Sequence, residues 1–350
     1  MSLILSEQRQ NEALIEILNQ VAIIYTRRAE PFKAKAYQKA IESIELLTFM
    51  DITAQNYKSI LKGLPGIGSS IMEKCTEYLQ KGNLLMIEEE KTNPMGIFTN
   101  VYGIGPKKAQ DLIKTGITSI KSLRENAIKN SKLLTKAQKA GLDHYEDLLE
   151  RIPRSEIDEY DCIFKTFLDN RYPKTSYQYS IVGSYRRGAT TSGDIDVILS
   201  GLPDQMAENS SKIYNSLIDY LIEKKIIKHV LSRGENKCLV ISQLDSNPLS
   251  SSKHRRIDFL CATPIEYPFS LFYFTGSKNF NTSVRHYALT QGYTMNEHEI
   301  KSTTTASSMN ELKLKEKEKI KTERDIFAFL GLQYKEPWER IDGRDVITLK

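Results

Sequence analysis

Cysteine is scarce and scattered in this chain. Cys75, Cys162, Cys238 and Cys261 share no paired spacing, which excludes a CxxC-type zinc module and a disulfide framework and leaves reduced core thiols. No apolar run is long enough to cross a bilayer. The opening Met1-Ser2-Leu3-Ile4-Leu5-Ser6-Glu7-Gln8 lacks the basic and extended apolar regions of a secretory leader, so the expected protein is soluble and intracellular, with no membrane partner. A strong charge imbalance is missing too: the formal net charge of +5 says little by itself about a nucleic-acid partner. Apolar residues are not in short supply. A hydrophobic content of 40% over 350 residues argues against global disorder and allows two or more domains with their own cores.

The distribution of charge says more than its sum. Residues 101–140 carry nine Lys or Arg against only Asp111 and Glu125, a basic segment able to follow a phosphate backbone. The same region holds the second copy of the one internal repeat. Leu64-Pro65-Gly66-Ile67-Gly68 returns as Val101-Tyr102-Gly103-Ile104-Gly105-Pro106, followed by Lys107 and Lys108. Each copy resembles a helix-hairpin-helix, in which the glycines (Gly66 and Gly68, Gly103 and Gly105) permit a close turn and expose amides at a helix N-terminus to a DNA phosphate.

The chemistry is concentrated further on. Gly183-Ser184-Tyr185-Arg186-Arg187-Gly188 is a turn through which backbone amides can approach phosphate, with Arg186 and Arg187 adding positive charge. It is followed by Ser192-Gly193-Asp194-Ile195-Asp196-Val197. Residues two apart on a strand project to one face, so Asp194 and Asp196 are expected to aim at one spot while Ile195 and Val197 enter a core. Magnesium takes hard oxygen ligands, and two such ions can stabilise both the attacking and the leaving oxygen of a phosphoryl transfer. Asp258, in the strand-like run Arg255-Arg256-Ile257-Asp258-Phe259-Leu260, is the candidate third carboxylate. Its alternative reading is an ion pair with Arg255 or Arg256.

Periodicity divides the chain. Leu14, Ile15, Leu18, Val21 and Ala22 recur at helical spacing, and a second helix is expected over Lys35–Leu47. After Arg151-Ile152-Pro153-Arg154 the pattern becomes mixed, with strands expected at Tyr179–Val182, Val197–Leu199, Cys238–Ile241 and Ile257–Leu260. The segment Ser246–Lys253 reads as a hairpin loop, and the alternating charges of Glu311–Asp325 as an exposed connection.

Taken together, these segments resemble the family X DNA polymerases, the group containing polymerases beta and lambda and the terminal transferase. The likeness runs from Phe32-Lys33-Ala34-Lys35-Ala36-Tyr37 through both hairpins, Arg151–Arg154 and the aspartate segments to Tyr273-Phe274-Thr275-Gly276-Ser277 and Glu336-Pro337. It implies a multidomain α+β fold: a helical lyase-like domain with the first helix-hairpin-helix (1–90), a second helix-hairpin-helix subdomain (91–150), a nucleotidyltransferase palm sheet with helices (151–262) and a small α/β C-terminal domain (263–350).

The resemblance also implies roles. Asp194 and Asp196 would bind two Mg²⁺ ions, with Mn²⁺ as a substitute, and Asp258 the catalytic one. Ser184, Arg187, Ser192, Gly193 and Arg151 would hold the triphosphate of a dNTP, while Tyr273, Phe274, Thr275, Gly276 and Asn281 would lie against its sugar and base. Arg285 would touch the template strand from the minor groove. Backbone carbonyls of Lys62, Leu64 and Ile67, and of Thr99, Val101 and Ile104, would hold a monovalent cation, Na⁺ or K⁺, against DNA. Lys74 would be the lyase nucleophile that forms a Schiff base with 5′-deoxyribose phosphate, aided by nearby cations, with Lys33, Lys35, Tyr37 and Lys62 as its phosphate pocket. The expected partners are gapped or nicked DNA and dNTP, the expected state a monomer, and the expected location the nucleus or a viral replication compartment.

The implied activity is template-directed gap filling in base excision repair. Alternatives are template-independent terminal transfer and a non-catalytic DNA-binding scaffold. Tyr273-Phe274 resembles polymerases beta and lambda where the terminal transferase carries Gly-Trp. The chain also departs from polymerase beta: Ser70 replaces a basic residue, Phe32 a histidine, Met86 a lysine and Leu260 an arginine that switches the active-site aspartate, and Lys278 and Thr282 differ near the nascent pair.

Overall fold

The computed structural model describes residues 11–45, 47, 52–174, 176–202, 207–244, 253–303 and 320–349. Residues 246–252 of the expected Ser246–Lys253 loop and residues 311–319 of the Glu311–Asp325 charge run lie outside the described residues. The chain divides into two compact units, Met1–Tyr145 and Glu146–Lys350.

The first unit is helical: α1 (Glu12–Arg27), α2 (Pro31–Glu45), α3 (Tyr57–Leu61), α4 (Ser69–Lys81), α5 (Leu85–Thr92), α6 (Pro94–Thr99), α7 (Pro106–Lys114), α8 (Ile120–Lys129) and α9 (Lys136–Asp143). The α1 face predicted from spacing is the buried one, with Leu14, Ile15, Leu18, Val21 and Ala22 all in the core. Helix α2 starts earlier than Lys35 because Pro31 suits the first helical turn, where its missing N–H removes nothing. Two separate cores form. One gathers Leu18, Ile41, Ile44, Leu61 and Cys75 from α1 to α5, and the other Phe98, Val101, Leu112, Leu123 and Leu142 from α6 to α9.

After α10 (Tyr145–Leu149), the second unit is built on β1 (Ile152–Pro153), α11 (Arg154–Arg171), β2 (Tyr177–Ile181), α12 (Gly183–Arg186), β3 (Thr191–Ser192), β4 (Ile195–Gly201), α13 (Ala207–Glu223), β5 (Ile227–Arg233), β6 (Lys237–Ser242) and β7 (Arg255–Cys261). The main sheet has the order β2-β4-β7-β6-β5, with β4 and β7 parallel. Strand β5 is an addition to the sequence expectation. It is an edge strand with register shifts against β6, so its side chains lack the clean two-residue alternation that marks a half-buried strand.

Alternation within β4 and β7 decides what each face carries. Ile195, Val197, Leu199, Ile257 and Phe259 pack in one core with Tyr160, Phe164, Leu168, Leu217 and Leu221 of α11 and α13. The intervening residues turn to the other face. There Ile198 and Leu260 join Val182, Ala262 and Tyr267 in a smaller cluster, and Asp196 and Asp258 stand next to them in the alternation. The remainder comprises α14 (Tyr267–Thr275), α15 (Lys278–Thr290), the hairpin β8 (Tyr293–Met295) and β9 (Ile300–Ser302), and α16 (Glu323–Leu330). It encloses its own core of Phe272, Phe280, Val284, Phe327 and Leu330.

Candidate active site

Asp196 and Asp258 are register partners on β4 and β7. Asp194 lies one residue ahead of β4 in a bend rather than on the strand as expected. A cation nevertheless links two of the three carboxylates: Arg256 hydrogen-bonds Asp194 and stands 3.5 Å from Asp258 Oδ1. Lys237, from β6, lies 3.3 Å from Asp258 Oδ2. The ion-pair reading of Asp258 therefore holds for Arg256 alongside the triad. Arg255 instead pairs bidentately with Glu156 at 2.7 Å, out of the site. Sequence reasoning missed Lys237, and no local pattern signals it.

The carboxylates suit a divalent cation. Asp258 Oδ1 is buried without a hydrogen bond among the described residues. The Asp196 carboxyl is pushed up to about 6, first by burial and then by the charge of Asp258. Two acids held this close resist ionising together unless a positive charge joins them, and the donors are the hard oxygens that Mg²⁺ and Mn²⁺ take.

The phosphate turn abuts the same carboxylates. Val182 N–H donates to the Asp196 carbonyl at 2.8 Å, and Gly183 follows at φ +63°. A Cβ on Gly183 would lie 2.8 Å from Asp196 Oδ2, so glycine is what lets turn and carboxylate touch. Ser184 Oγ donates to Ser192 Oγ at 2.8 Å, and Arg151 donates to Thr191 through Nε (3.1 Å) and Nη2 (2.6 Å). Its Nη1 is 3.4 Å from where a Gly193 Cβ would sit. Ser184, Ser192, Gly193 and Arg151 are thus one cluster.

Arg186 and Arg187 separate in role. Arg187 donates to the Thr275 carbonyl at 2.7 Å, and a Cβ on Gly276 would come within 3.1 Å of its Nη1. Arg186 turns away, donating to Thr275 Oγ1 (2.6 Å) and to Glu323 (2.6 and 3.0 Å). Glu323 also receives the fully buried Arg340 at 2.6 Å. The Arg186 guanidinium is thus directed at Glu323, which it shares with Arg340, and not at a phosphate as expected. Thr275 is fully buried, its hydroxyl donating to the Leu271 carbonyl at 2.5 Å, so its side chain holds Arg186 and its carbonyl holds Arg187. Neither Glu323 nor Arg340 was legible as a partner in the sequence.

Tyr273 and Phe274 form an edge-to-face pair with centroids 5.2 Å apart. Asn281 donates to the Tyr273 carbonyl at 2.5 Å, while its Oδ1 is buried with no hydrogen bond among the described residues. Arg285 is exposed on the same helix, α15. Leu260 is in the apolar cluster under α14, leaving no charge at that position to switch an aspartate.

In the first unit the two hairpins match in detail. Leu64 and Val101 accept from Ile67 (3.1 Å) and Ile104 (3.0 Å), Gly66 and Gly103 have φ +84° and +77°, and Gly68 and Gly105 are extended caps of α4 and α7. The turns run between Lys62 and Ile67 and between Thr99 and Ile104, with Lys107 exposed and Lys108 half-buried after the second. Lys74, on α4, pairs with Glu77 at 3.2 Å. Its charged partner is therefore a carboxylate, not one of the cations expected around it. Lys35 and Lys62 are exposed and Lys33 pairs with Glu30, while Tyr37 is buried, its phenol pushed up to about 12 by burial.

Family models agree with this geometry along the chain. A helix-hairpin-helix domain matches residues 9–84, the fingers domain of DNA polymerase lambda 96–149, the DNA polymerase beta palm 151–264 and the DNA polymerase beta thumb 270–341. DNA polymerase lambda of Rattus norvegicus is 31% identical over 339 residues, covering 94% of this chain and 56% of the relative. That of Arabidopsis thaliana is 30% identical, covering 94% and 62%. DNA nucleotidylexotransferase of Gallus gallus is 28% identical, covering 80% and 58%. The chain thus spans between about half and two thirds of the length of these relatives. No helix among the described residues is long and apolar enough to cross a membrane.

Proposed function

The chain belongs to the family X DNA polymerases, and from that premise we propose that it fills short gaps in DNA during base excision repair, copying a template by adding deoxynucleotides to a primer 3′ end. The observation that carries this reading is the pairing of Asp196 with Asp258 on one sheet face, closed by Asp194 and by the glycine turn at 183–188. Asp194, Asp196 and Asp258 would hold two Mg²⁺, or Mn²⁺ in their place, which when bound supply charge neutralisation for the triphosphate and the leaving group. The protein's own share is placement and electrostatics. Ser184, Ser192, Gly193, Arg187 and Arg151 hold the triphosphate, and Tyr273, Phe274 and Gly276 flank its sugar and base. Asn281 offers its spare Oδ1 toward the base-pair edge, and Arg285 meets the template strand. The 3′-oxygen then attacks the α-phosphorus, its proton passes to Asp258, and the bond to the pyrophosphate oxygen breaks.

DNA is held by the repeated hairpins through Gly66, Gly68, Gly103 and Gly105 and the lysines at 107 and 108. The backbone carbonyls of Lys62, Leu64 and Ile67 and of Thr99, Val101 and Ile104 would hold a monovalent cation against the DNA backbone. In the first unit Lys74 acts as a 5′-deoxyribose-phosphate lyase nucleophile, with Lys33, Lys35, Tyr37 and Lys62 around the phosphate.

Primer extension on a single-nucleotide gap, with and without a template base, tests the main activity. The expected result is insertion of the matched nucleotide only. Extension indifferent to template would replace this reading with terminal transfer, and DNA binding without extension would replace it with a scaffold.

A further inference from the structure

The turn that carries Ser184 and Arg187 contains no fully buried residue, and within it only Tyr185 packs, part-buried, against the core of the sheet. A segment so placed depends on its polar contacts, and besides those of Ser184, Arg186 and Arg187 described above, Tyr185 is met by the start of α11. Arg154 N–H donates to the Thr190 carbonyl at 2.9 Å. Its guanidinium donates to the Tyr185 carbonyl at 2.7 Å and stands 4.0 Å from the centre of the Tyr185 ring. One turn later on the same helix face, Asp158 accepts a 2.6 Å hydrogen bond from the Tyr185 hydroxyl. Tyr185 is therefore held at its carbonyl, its ring face and its hydroxyl at once.

On the polymerase reading above, we propose that Arg154, Asp158 and Tyr185 form a clasp that positions the phosphate-binding turn for the incoming nucleotide. Arg154 and Asp158 are positioning residues, acting through the turn and touching no substrate. Tyr185 sits directly between Ser184 and the two arginines, so a shift of its carbonyl moves both neighbours. The clasp also explains why arginines flank Ile152-Pro153. The two-residue pairing of β1 with β3 aligns Ile152 with Ser192, Arg151 grips Thr191 beyond it, and Arg154 grips residues 185–190, so a single short segment fixes the loop at both ends. Burial and the Asp158 bond push the Tyr185 phenol up to about 12, so it remains a donor throughout the neutral range.

The test is dNTP affinity in the complex with a dideoxy-terminated primer and its template, where no bond can form, alongside gapped-DNA affinity, thermal midpoint, and KM and kcat on an extendable primer. Arg154→Ala is expected to weaken dNTP binding about tenfold, the scale of losing a gripping contact. Tyr185→Phe, which keeps the ring and the carbonyl grip, should weaken it about threefold, and Arg154→Lys should recover part of the loss. DNA affinity and thermal midpoint should stay near the wild-type values. Unchanged dNTP affinity in Arg154→Ala and Tyr185→Phe, beside a wild type that binds and inserts matched dNTP, would overturn the clasp, as would equal losses of dNTP affinity, DNA affinity and stability. A wild type that binds no matched dNTP on primer-template would instead remove the polymerase reading, and the clasp with it.

Discussion

Asp196 and Asp258 face each other across a parallel strand pair, with backbones about 4.8 Å apart. No local turn sets this proximity; the register of β4 with β7 does, locked by Ile195, Val197, Ile257 and Phe259 in the core beneath. A one-residue slip of either strand would turn its acid into that core and away from the other. The chemistry therefore rests on sheet packing. Asp258→Ala should reduce single-turnover nucleotide insertion by about a thousandfold or more, with gapped-DNA affinity unchanged, because the hairpins proposed to bind DNA lie in the other unit. Insertion within tenfold of wild type would exclude Asp258 from the reaction.

The same proximity makes a prediction about pH. The folded Asp196 carboxyl is raised to about 6 against about 3.9 in an unfolded chain. Between those values the folded state binds the extra proton, so this group's contribution to stability is complete below pH 4 and is lost as pH rises through 6. In chelator, Asp196→Asn should be more stable than wild type at pH 7.5, by on the order of 2 kcal/mol, with the difference vanishing near pH 4. Chemical denaturation at several pH values measures this, and a pH-independent difference would refute it.

Glu323 lies between Arg186 and Arg340 and is 5% exposed, while Arg340 is fully buried. Three aromatic rings, Phe272, Phe327 and Tyr334, surround the Arg340 guanidinium at 5.3–5.7 Å. Removing one partner of a buried charged pair strands the other, at about 3–5 kcal/mol. Glu323→Gln should lower stability by that amount and release Arg186 from α16. A loss under 1 kcal/mol would show that water reaches the pair.

The glycines of the hairpins divide into two kinds. A Cβ on Gly66 would lie 2.9 Å from Ala40 N, at a backbone of φ +84°, whereas a Cβ on Gly68 meets nothing within 4 Å. Gly66→Ala should destabilise the first unit by about 1–3 kcal/mol. Gly68→Ala should fold normally, so any fall in its DNA affinity reports contact with the phosphate backbone. Equal thermal midpoints for the two variants would contradict the packing account.

Much of this was legible from residue types at fixed spacing. The glycine-serine turn and the repeated Gly-x-Gly carry their geometry locally, because positive φ is a property of single residues, whereas alternation places Asp196 and Asp258 on one face but not Asp194, which stands in a bend ahead of β4. Long-range partners were not. Arg186 reads as a phosphate cation beside Arg187, yet its fate depends on Glu323, far along the chain. Lys237 reaches Asp258 only because β6 pairs with β7. Strand β5 hid because its bulges break the two-residue period.

The lyase role proposed for Lys74 is separable from nucleotide insertion. Its side chain is partly exposed, at 25%, and is paired with Glu77, which also accepts from Leu85 N–H at 2.8 Å. A Schiff base requires the amine nitrogen to attack the sugar aldehyde, followed by loss of water, so the ion pair with Glu77 must open first and Glu77 is expected to restrain the step. Borohydride trapping on DNA bearing 5′-deoxyribose phosphate should give an adduct that is lost in Lys74→Ala, while gap filling on 5′-phosphate DNA continues. Glu77→Gln, which removes the charge and leaves the helix intact, should trap faster, by about threefold for a loss of stabilisation below 1 kcal/mol. An adduct that persists in Lys74→Ala would assign the nucleophile to another amine, and slower trapping in Glu77→Gln would recast Glu77 as an aid to the reaction.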